Sequence, residues 1–222
     1  MKQKILRNKK MLLKIFVILL STILLGCSAT ELEERCFPVV TVVGYEDEKV
    51  TYAMGFPSIS SAGEEKSGTS EVSVPMVKEK NFMDSKSKYE RRLNKLADYN
   101  HLKVIVLEED FIQQISLYEN MLDYLSETEE YPRNTYVCIV DDVEDLLELE
   151  KNLPKDLGTY LEEYLNNHER QSEEILTLGD LIDEKENKRL VLYVPYLEVE
   201  DSFVEWGGYY TIGKNLPPVK FE

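Results

Sequence analysis

The sequence has few of the residues that hold metal ions or build disulfide frameworks. Only two histidines and three cysteines occur among its 222 residues. His101 and His168 have no second His or Cys at the spacing of a zinc site, so we expect surface or capping residues and predict neither a metal nor a cofactor. Cys36 and Cys138 are too few for a disulfide framework. An exported protein could still join them in one bridge, but Cys138 lies in an apolar run and is typical of a core thiol.

Motifs for nucleophilic or nucleotide chemistry are also missing. No Ser lies in a Gly-x-Ser-x-Gly sequence, and no Gly-rich loop precedes a helix. The nearest candidate is an acidic group after an apolar strand, where ligands of α/β sheets often bind: Asp141, Asp142, Glu144 and Asp145. Carboxylates are favoured at a helix N-terminus anyway, and the group lacks the Gly alternation of a calcium loop. We therefore interpret it as helix capping and predict that the chain is not an enzyme.

Basic residues become scarce after residue 26. The first 26 residues contain six of the 26 Lys and Arg residues and none of the 42 Asp and Glu residues. The 196 residues that follow hold 20 basic and 42 acidic residues, which gives a formal charge of −22. Such a surface repels nucleic acids and anionic lipid headgroups, so we expect no nucleic-acid partner and no membrane binding through a polybasic face.

An apolar stretch, residues 15–26, follows the six basic residues and ends in Leu24-Leu25-Gly26-Cys27. A basic segment, a short apolar core and a small residue before Cys form a lipoprotein signal with a lipobox. Cleavage between Gly26 and Cys27 would make Cys27 the N-terminus, with acyl chains such as palmitate holding it on a membrane. The alternative is an uncleaved anchor, but twelve helical residues rise about 18 Å, against a hydrocarbon core of about 30 Å.

The rest of the chain is predicted to be a single domain. In order, the parts are a signal over residues 1–26, a charged tether over 27–36, the domain over 37–213 and a tail without predicted structure over 214–222. Two β-rich runs, 37–44 and 50–56, are joined by an acidic turn and predict a hairpin that opens a sheet. Residues 58–74 are rich in Ser, Gly, Glu and Lys, which predicts a mobile loop inside the domain.

Helices and strands alternate in the middle of the domain. A helix capped by Asp84 or Ser85 is predicted, with an apolar face at Tyr89, Leu93, Leu96 and Tyr99. Strands at 103–107 and 135–140 flank a helix capped by Asp110, and a helix capped by Asp141 or Asp142 follows. This order predicts a βαβ unit with parallel strands and a right-handed crossover.

The last part of the domain adds helices and two strands. An acidic helix is predicted after Pro154, and a capping box at 177–180 opens a shorter one. Strands at 189–194 and 203–212 follow, and Pro195 should place the first of them at an edge or a bulge. The whole pattern predicts an α+β or α/β fold, with a mixed β-sheet whose βαβ core is flanked by helices.

Paired glycines interrupt the aromatic run in the last of these strands. Trp206, Gly207, Gly208 and Tyr209 could let a partner backbone approach closely, and aromatic residues are favoured at interfaces. The alternative is a strand bend packed under its own aromatic side chains, which is the commoner reason for such a pattern. We keep residues 206–209 as a candidate partner interface.

Weak motifs recur in a definite order along the chain. Cys27 is followed by Glu31-Leu32, an apolar strand ends in Gly44, and the run His101-Leu-Lys-Val-Ile-Val-Leu-Glu-Glu109 precedes a helix. Further on lie Tyr136-Val137, Tyr160-Leu161, Leu190 to Pro195 and Gly207-Gly208. In this order the chain resembles the N-terminal domain of the Ger(x)C family of spore-germination lipoproteins, the C subunits of GerA-type nutrient germinant receptors.

The resemblance implies a non-enzymatic protein on the outer face of the cytoplasmic or spore inner membrane, held by a lipid on Cys27. It also implies integral-membrane A- and B-type receptor subunits as partners. Members of the family are much longer, and they usually carry Trp and an acidic residue after the lipidated Cys, where this chain has Ser28-Ala29. They also usually have an Arg-Asp pair where this chain has Glu127-Thr128. A truncated and repurposed relative is therefore an alternative.

Two functions from other classes remain open. A solute-binding lipoprotein of a transport system would share the signal, but such proteins usually have two lobes around a cleft, and 196 residues with one evident sheet are short for that. An exported hydrolase that uses Asp141 and Asp142 is the weaker alternative, because no nucleophile or second catalytic motif accompanies the two carboxylates.

Overall fold

The computed structural model describes residues 14, 32–57, 75–170, 175–187, 192–200, 203–213 and 216–221. Internal contacts divide the chain into two units, Met1–Glu34 and Arg35–Glu222. Of the first unit, the structure describes Lys14 and a 3₁₀ turn at Leu32–Glu34. The predicted lipobox and the predicted loop at 58–74 lie outside the described residues. All strands described below belong to the second unit.

Two sheets form within the described ranges. The strands are β1 Arg35–Cys36, β2 Val40–Glu46, β3 Lys49–Gly55, β4 Val77–Glu79, β5 Leu96–Ala97, β6 Val104–Glu108, β7 Tyr136–Val140, β8 Leu192–Val199, β9 Val204–Gly213 and β10 Leu216–Phe221. The main sheet has eight strands in the order β10-β9-β8-β7-β6-β2-β3-β4. A separate parallel pair joins β1 to β5.

Helices connect the strands of the main sheet. They are α1 Phe82–Glu90, α2 Glu109–Gln113, α3 Ile115–Glu127, α4 Val143–Glu150, α5 Leu157–Arg170 and α6 Leu178–Asn187. Asn81 caps α1, with its side-chain Oδ1 accepting a hydrogen bond from the Asp84 N–H at 2.9 Å. At the start of α6, Thr177 and Asp180 exchange the hydrogen bonds of the predicted capping box. No helix in the described ranges is both long and apolar enough to cross a bilayer.

The centre of the sheet is parallel and its two sides are antiparallel. Strands β2, β6, β7 and β8 run in one direction. On one side β3 and β4 pair antiparallel, and on the other β9 and β10 do so. Because β6 and β7 are parallel neighbours joined through α2 and α3, the predicted βαβ unit and the mixed-sheet α+β fold are confirmed. The apolar residues of β6 and the inner residues of β7 are at most 3% exposed, which agrees with strands covered on both faces.

The predicted hairpin is also confirmed. Its strands β2 and β3 pair in register from Val40 with Gly55 to Glu46 with Lys49. Asp47 and Glu48 form the tip with φ angles of 51° and 60°. Two successive left-handed residues give the turn that matches strand twist, and here acidic residues rather than glycines adopt it.

Three helix predictions differ from the structure. The N-cap of α1 is Asn81 and not Asp84 or Ser85, both of which lie inside the helix. The helix predicted to extend to Tyr99 ends at Glu90, since Leu96 and Ala97 pair with β1 and Tyr99 lies in a 3₁₀ turn. The helical spacing gave a wrong prediction here, because Tyr99 is buried against the ring of Tyr131 and not by a helix face. The two rings are tilted by 32° and their centroids are 4.5 Å apart. Asp110 does not cap a helix, since it lies in the first turn of α2.

The C-terminal part differs as well. The predicted unstructured tail contains strand β10, which pairs antiparallel with β9. Its register shifts between Leu216 and Val219, around Pro217-Pro218, and its place at the sheet edge tolerates residues without an N–H donor. Pro195 lies in β8 between two neighbours and not at an edge, and the register irregularity between Pro195 and Leu197 confirms the predicted bulge.

Candidate functional site

An acidic pocket lies where the parallel strands β2, β6 and β7 end. The strands are in register, so their C-terminal ends meet at one edge of the sheet. The pocket has a volume of about 310 Å³. The lining comes from β2, β3, the approach to β4, and the ends of β6 and β7: Tyr45, Glu46, Thr51, Met76, Glu108, Asp110, Asp142, Val143 and Glu144. Five of these nine residues carry a carboxyl group, and the lining contains no Lys or Arg.

Glu108, the last residue of β6, is the most enclosed carboxylate of the pocket. Its Oε2 accepts a hydrogen bond from the Tyr45 N–H at 2.6 Å, and its Oε1 accepts one from the Val143 N–H at 3.2 Å. The side chain thereby joins the end of β2 to the start of α4. Burial raises the pKa of Glu108, and the nearby charges of Asp142 and Asp110 act in the same direction, while the two backbone hydrogen bonds only partly oppose them.

Gly44 makes room for this carboxylate. A Cβ atom at Gly44 would lie 2.6 Å from both Glu108 Oε2 and Thr51 Oγ1, and 2.9 Å from Val143 Cγ2. Thr51 is 1% exposed, and its hydroxyl has no hydrogen-bond partner among the described residues. A carboxylate and an unsatisfied hydroxyl therefore converge beside Gly44, a strand residue that has no side chain.

The acidic group after β7 contains one helix cap and further exposed carboxylates. Asp142 caps α4, because its Oδ1 accepts a hydrogen bond from the Glu144 N–H at 2.6 Å, which confirms the capping prediction. Asp141 and Glu144 are exposed, and Glu144 lines the pocket mouth. Lys78 on β4 pairs with Glu46 at the rim.

The carboxylates of this pocket can accept hydrogen bonds and attract positively charged groups. In the described ranges, no three His, Cys, Asp or Glu residues are grouped so that they could hold a metal ion. The two histidines lie elsewhere: His101 contacts Phe37, and His168 contacts Tyr164 and Trp206. The pocket is thus a candidate binding site for donors and cations.

The candidate interface at residues 206–209 is built into β9. The Trp206 ring stacks on His168 of α5 at a centroid distance of 4.6 Å and meets Tyr209 edge to face. A Cβ at Gly207 would lie 2.6 Å from Tyr196 Cδ1, and Gly208 has a φ of 101°. Packing and backbone conformation within the sheet explain both glycines, so the interface stays a prediction.

The cysteines have separate environments. Cys36 and Cys138 are free and buried, and Cys138 lies in β7 as expected of a core thiol. Burial raises the pKa of Cys138 to about 12. Gly26 and Cys27, the predicted cleavage and lipidation residues, lie outside the described residues, so the structure leaves these two predictions as they were.

A second polar cluster lies beside α1. The Lys86 ammonium is 5% exposed, donates a hydrogen bond to Glu90 at 2.7 Å and lies 3.1 Å from Glu130. It also lies 4.9 Å from the centroid of the Tyr99 ring. Burial by itself would lower the pKa of Lys86, but the hydrogen bond and charge of Glu90, together with Tyr124 and Glu130, outweigh it, so the pKa is raised. The cluster joins α1 to the loops that follow α1 and α3.

Sequence reasoning assigned no function to Glu108, Gly44 or Thr51. A signal existed for the first two, because an acidic residue ends the apolar run of β6 and a glycine ends the β-branched run of β2. Thr51 carries no such signal. Its role depends on the pairing of β3 with β2, which places it opposite Gly44.

Comparison with known proteins gives one match. A family model described as the spore germination protein N-terminal domain matches residues 28–199. The searches of curated proteins and of solved structures found no match. The family is described by its part in spore germination and not by a reaction. Since the match covers well over half of the 222 residues, the chain belongs to the family of spore germination protein N-terminal domains.

Proposed function

We propose that this chain is a lipid-anchored protein that acts like the C subunit of a nutrient germinant receptor, through contacts with integral-membrane A- and B-type subunits. The observation that carries the proposal is the family match, which begins at Ser28, directly after the lipobox cysteine. A folded domain of this family would then start where the lipidated N-terminus ends. The proposed location is the outer face of the cytoplasmic or spore inner membrane.

The lipid and the acidic body have different tasks in this proposal. Acyl chains on Cys27 confine the domain to the membrane plane, which raises its effective concentration near membrane-embedded partners. Weak protein contacts then suffice for assembly. The charge of −22 after residue 26 keeps the body away from anionic headgroups, so the surface stays available to proteins.

A solute-binding role finds less support. Such proteins usually enclose their ligand between two lobes, whereas Arg35–Glu222 forms one compact unit around one main sheet. The hydrolase alternative loses its central group, because Asp142 is engaged in capping α4.

Cys27→Ala tests the anchor. The variant should lose incorporation of a clickable palmitate analogue and should no longer be processed after Gly26, as mass spectrometry of the N-terminus would show. Ser28→Ala, one residue further, is the matched control and should keep both. An unmodified Cys27 or an intact Met1 in the natural protein would refute the anchor, and germination unaffected by deletion of the gene would refute the receptor role.

A further inference from the structure

We propose that the acidic pocket at the ends of β2, β6 and β7 binds a Lys or Arg side chain presented by a partner protein. The inference deepens the proposed function and rests on it for the identity of the partner, which would be another receptor subunit. Three features of the pocket carry it: the charge of its lining, an unsatisfied buried hydroxyl next to its half-buried carboxylate, and the polar character of its walls.

The negative charge of the lining favours a positively charged ligand. Glu108 lies enclosed by backbone contacts, with the Asp110, Asp142 and Glu144 carboxylates around it. Lys78 pairs with Glu46 at the rim, and its charge also acts on Glu144, so this one cation faces five carboxylates of the lining. Opposite charges attract most strongly where solvent is partly excluded. A positive group entering the pocket would relieve the mutual repulsion of these carboxylates, and an anion would increase it.

Within the described structure, the pocket contains hydrogen-bond acceptor positions that have no donor, on Glu108 itself and on the hydroxyl beside it. Each oxygen of Glu108 accepts one backbone hydrogen bond, at 2.6 Å and 3.2 Å, which leaves a further lone pair on each. The Thr51 hydroxyl lines the same pocket, is almost fully buried and has no partner among the described residues. Buried polar groups are normally satisfied, so a donor that enters the pocket would supply the Thr51 oxygen with a partner that these residues do not provide. Ammonium and guanidinium groups supply several donors at once.

The walls favour a side chain over a free small molecule. Sites for small ligands are mostly apolar and enclose the ligand. Here Tyr45, Met76 and Val143 are the least polar members of a lining that is otherwise acidic or hydroxylic. A cavity of about 310 Å³ accommodates one long basic side chain. A Lys or Arg side chain of a partner protein needs little binding energy from the pocket walls, because the rest of the protein–protein interface supplies the remainder.

The test uses the ¹⁵N-labelled full chain in detergent and capped amino acids as probes. N-acetyl-arginine methylamide carries the cation without free termini, and its citrulline counterpart is the neutral isostere. The amide signals of Tyr45 and Val143 report on Glu108, to which both N–H groups donate. We expect saturable shifts of these signals with the arginine probe, and an affinity at least about tenfold lower with citrulline. Free L-arginine should bind no more tightly than the capped probe, because the acidic rim repels its α-carboxylate and this offsets the attraction of its α-ammonium.

Two charge-neutralising variants complete the test. The double variant Asp142→Asn and Glu144→Gln keeps a good N-cap, since Asn caps as well as Asp, and should weaken binding of the arginine probe several-fold. The double variant Glu127→Gln and Glu129→Gln removes the same charge from exposed positions at and just after the end of α3 and should change the affinity little.

Every outcome decides the proposal. Equal binding of both capped probes, no saturable shift, or equal weakening by the two double variants would overturn it. Tighter binding of free L-arginine than of the capped probe would replace it with a small-molecule site. The test is independent of the membrane anchor: a chain that binds the capped arginine but lacks a lipid on Cys27 would retain the pocket and lose the proposed receptor role.

Discussion

Gly44→Ala should destabilise the protein mainly by displacing Glu108. The added Cβ would lie 2.6 Å from Glu108 Oε2, whereas ordinary contacts begin at 3.4 Å. The clash is with Oε2, so the hydrogen bond from the Tyr45 N–H to this atom is the one lost, and a lost hydrogen bond to a charged group costs about 1.5–3 kcal/mol. The contacts of the new Cβ with Thr51 and Val143 add about 1–2 kcal/mol. Alanine loses less backbone entropy on folding than glycine does, which adds back about 0.5–1 kcal/mol of stability. We expect a net loss of about 2–4 kcal/mol in the free energy of unfolding.

A double-mutant cycle separates this cause from general crowding. In a Glu108→Ala background the carboxylate is already absent, so Gly44→Ala should cost only about 1–2 kcal/mol, from contacts with Thr51 and Val143. The two substitutions should therefore be coupled by about 1–2 kcal/mol in urea unfolding. Gly55→Ala is the matched control, because its Cβ would contact Val40 and not Glu108.

The control should be additive with Glu108→Ala to within about 0.5 kcal/mol. Additivity of Gly44→Ala with Glu108→Ala to the same precision would refute the reasoning. In that case Gly44 would serve only the packing of the hairpin, and the position of Glu108 would not depend on it.

Three further predictions concern groups outside the pocket. Burial raises the pKa of Glu150 in the folded state, so its contribution to stability is complete below about pH 4 and is lost as the pH rises. Glu150→Gln should therefore gain stability relative to the natural protein between about pH 4 and pH 7 in urea unfolding, and a difference independent of pH would contradict this. Lys86→Met should lower the free energy of unfolding by roughly 1–3 kcal/mol, because Glu90 loses its buried cation. Lys88→Met removes a more exposed pair and should cost less than about 1 kcal/mol; equal losses would show that burial of Lys86 does not matter. Cys138, with a pKa raised to about 12, should resist iodoacetamide at about pH 8 until the protein is unfolded, and rapid labelling of the native protein would show that β7 is accessible.

Local patterns predicted those parts of the fold that depend on neighbours in sequence. The β2–β3 hairpin, the Asp142 cap and the capping box at 177–180 were all predicted, because turns and caps are formed within a few residues. Two parallel strands with a helical connection followed from the length and polarity of the segments. The predicted boundaries of α1 were wrong, because a tertiary contact with the Tyr131 ring buries Tyr99 without a helix.

The pocket could be predicted only in part. The sequence placed the residues around Asp142 at the end of a parallel strand, and the structure has them there. Nothing in the sequence indicates that these residues lie near β2. That strand is the parallel neighbour of β6, although about 60 residues separate the two strands. The pairing of β10 with β9 was missed for a different reason, since the two prolines at 217–218 are tolerated only because the strand lies at an edge.

By itself, the sequence determined a basic, apolar first segment, for which we predict a lipobox, together with a strongly acidic body and the family to which that body belongs. Net charge is a sum over residues, and the other two properties are patterns along the sequence, so none of them depends on how the chain folds. Only the tertiary structure decided that Gly44, Thr51 and Glu108 share one site, because strand register sets which distant residues face each other. A carboxylate, a hydroxyl and a gap where a side chain is missing become a pocket only when three strands end side by side.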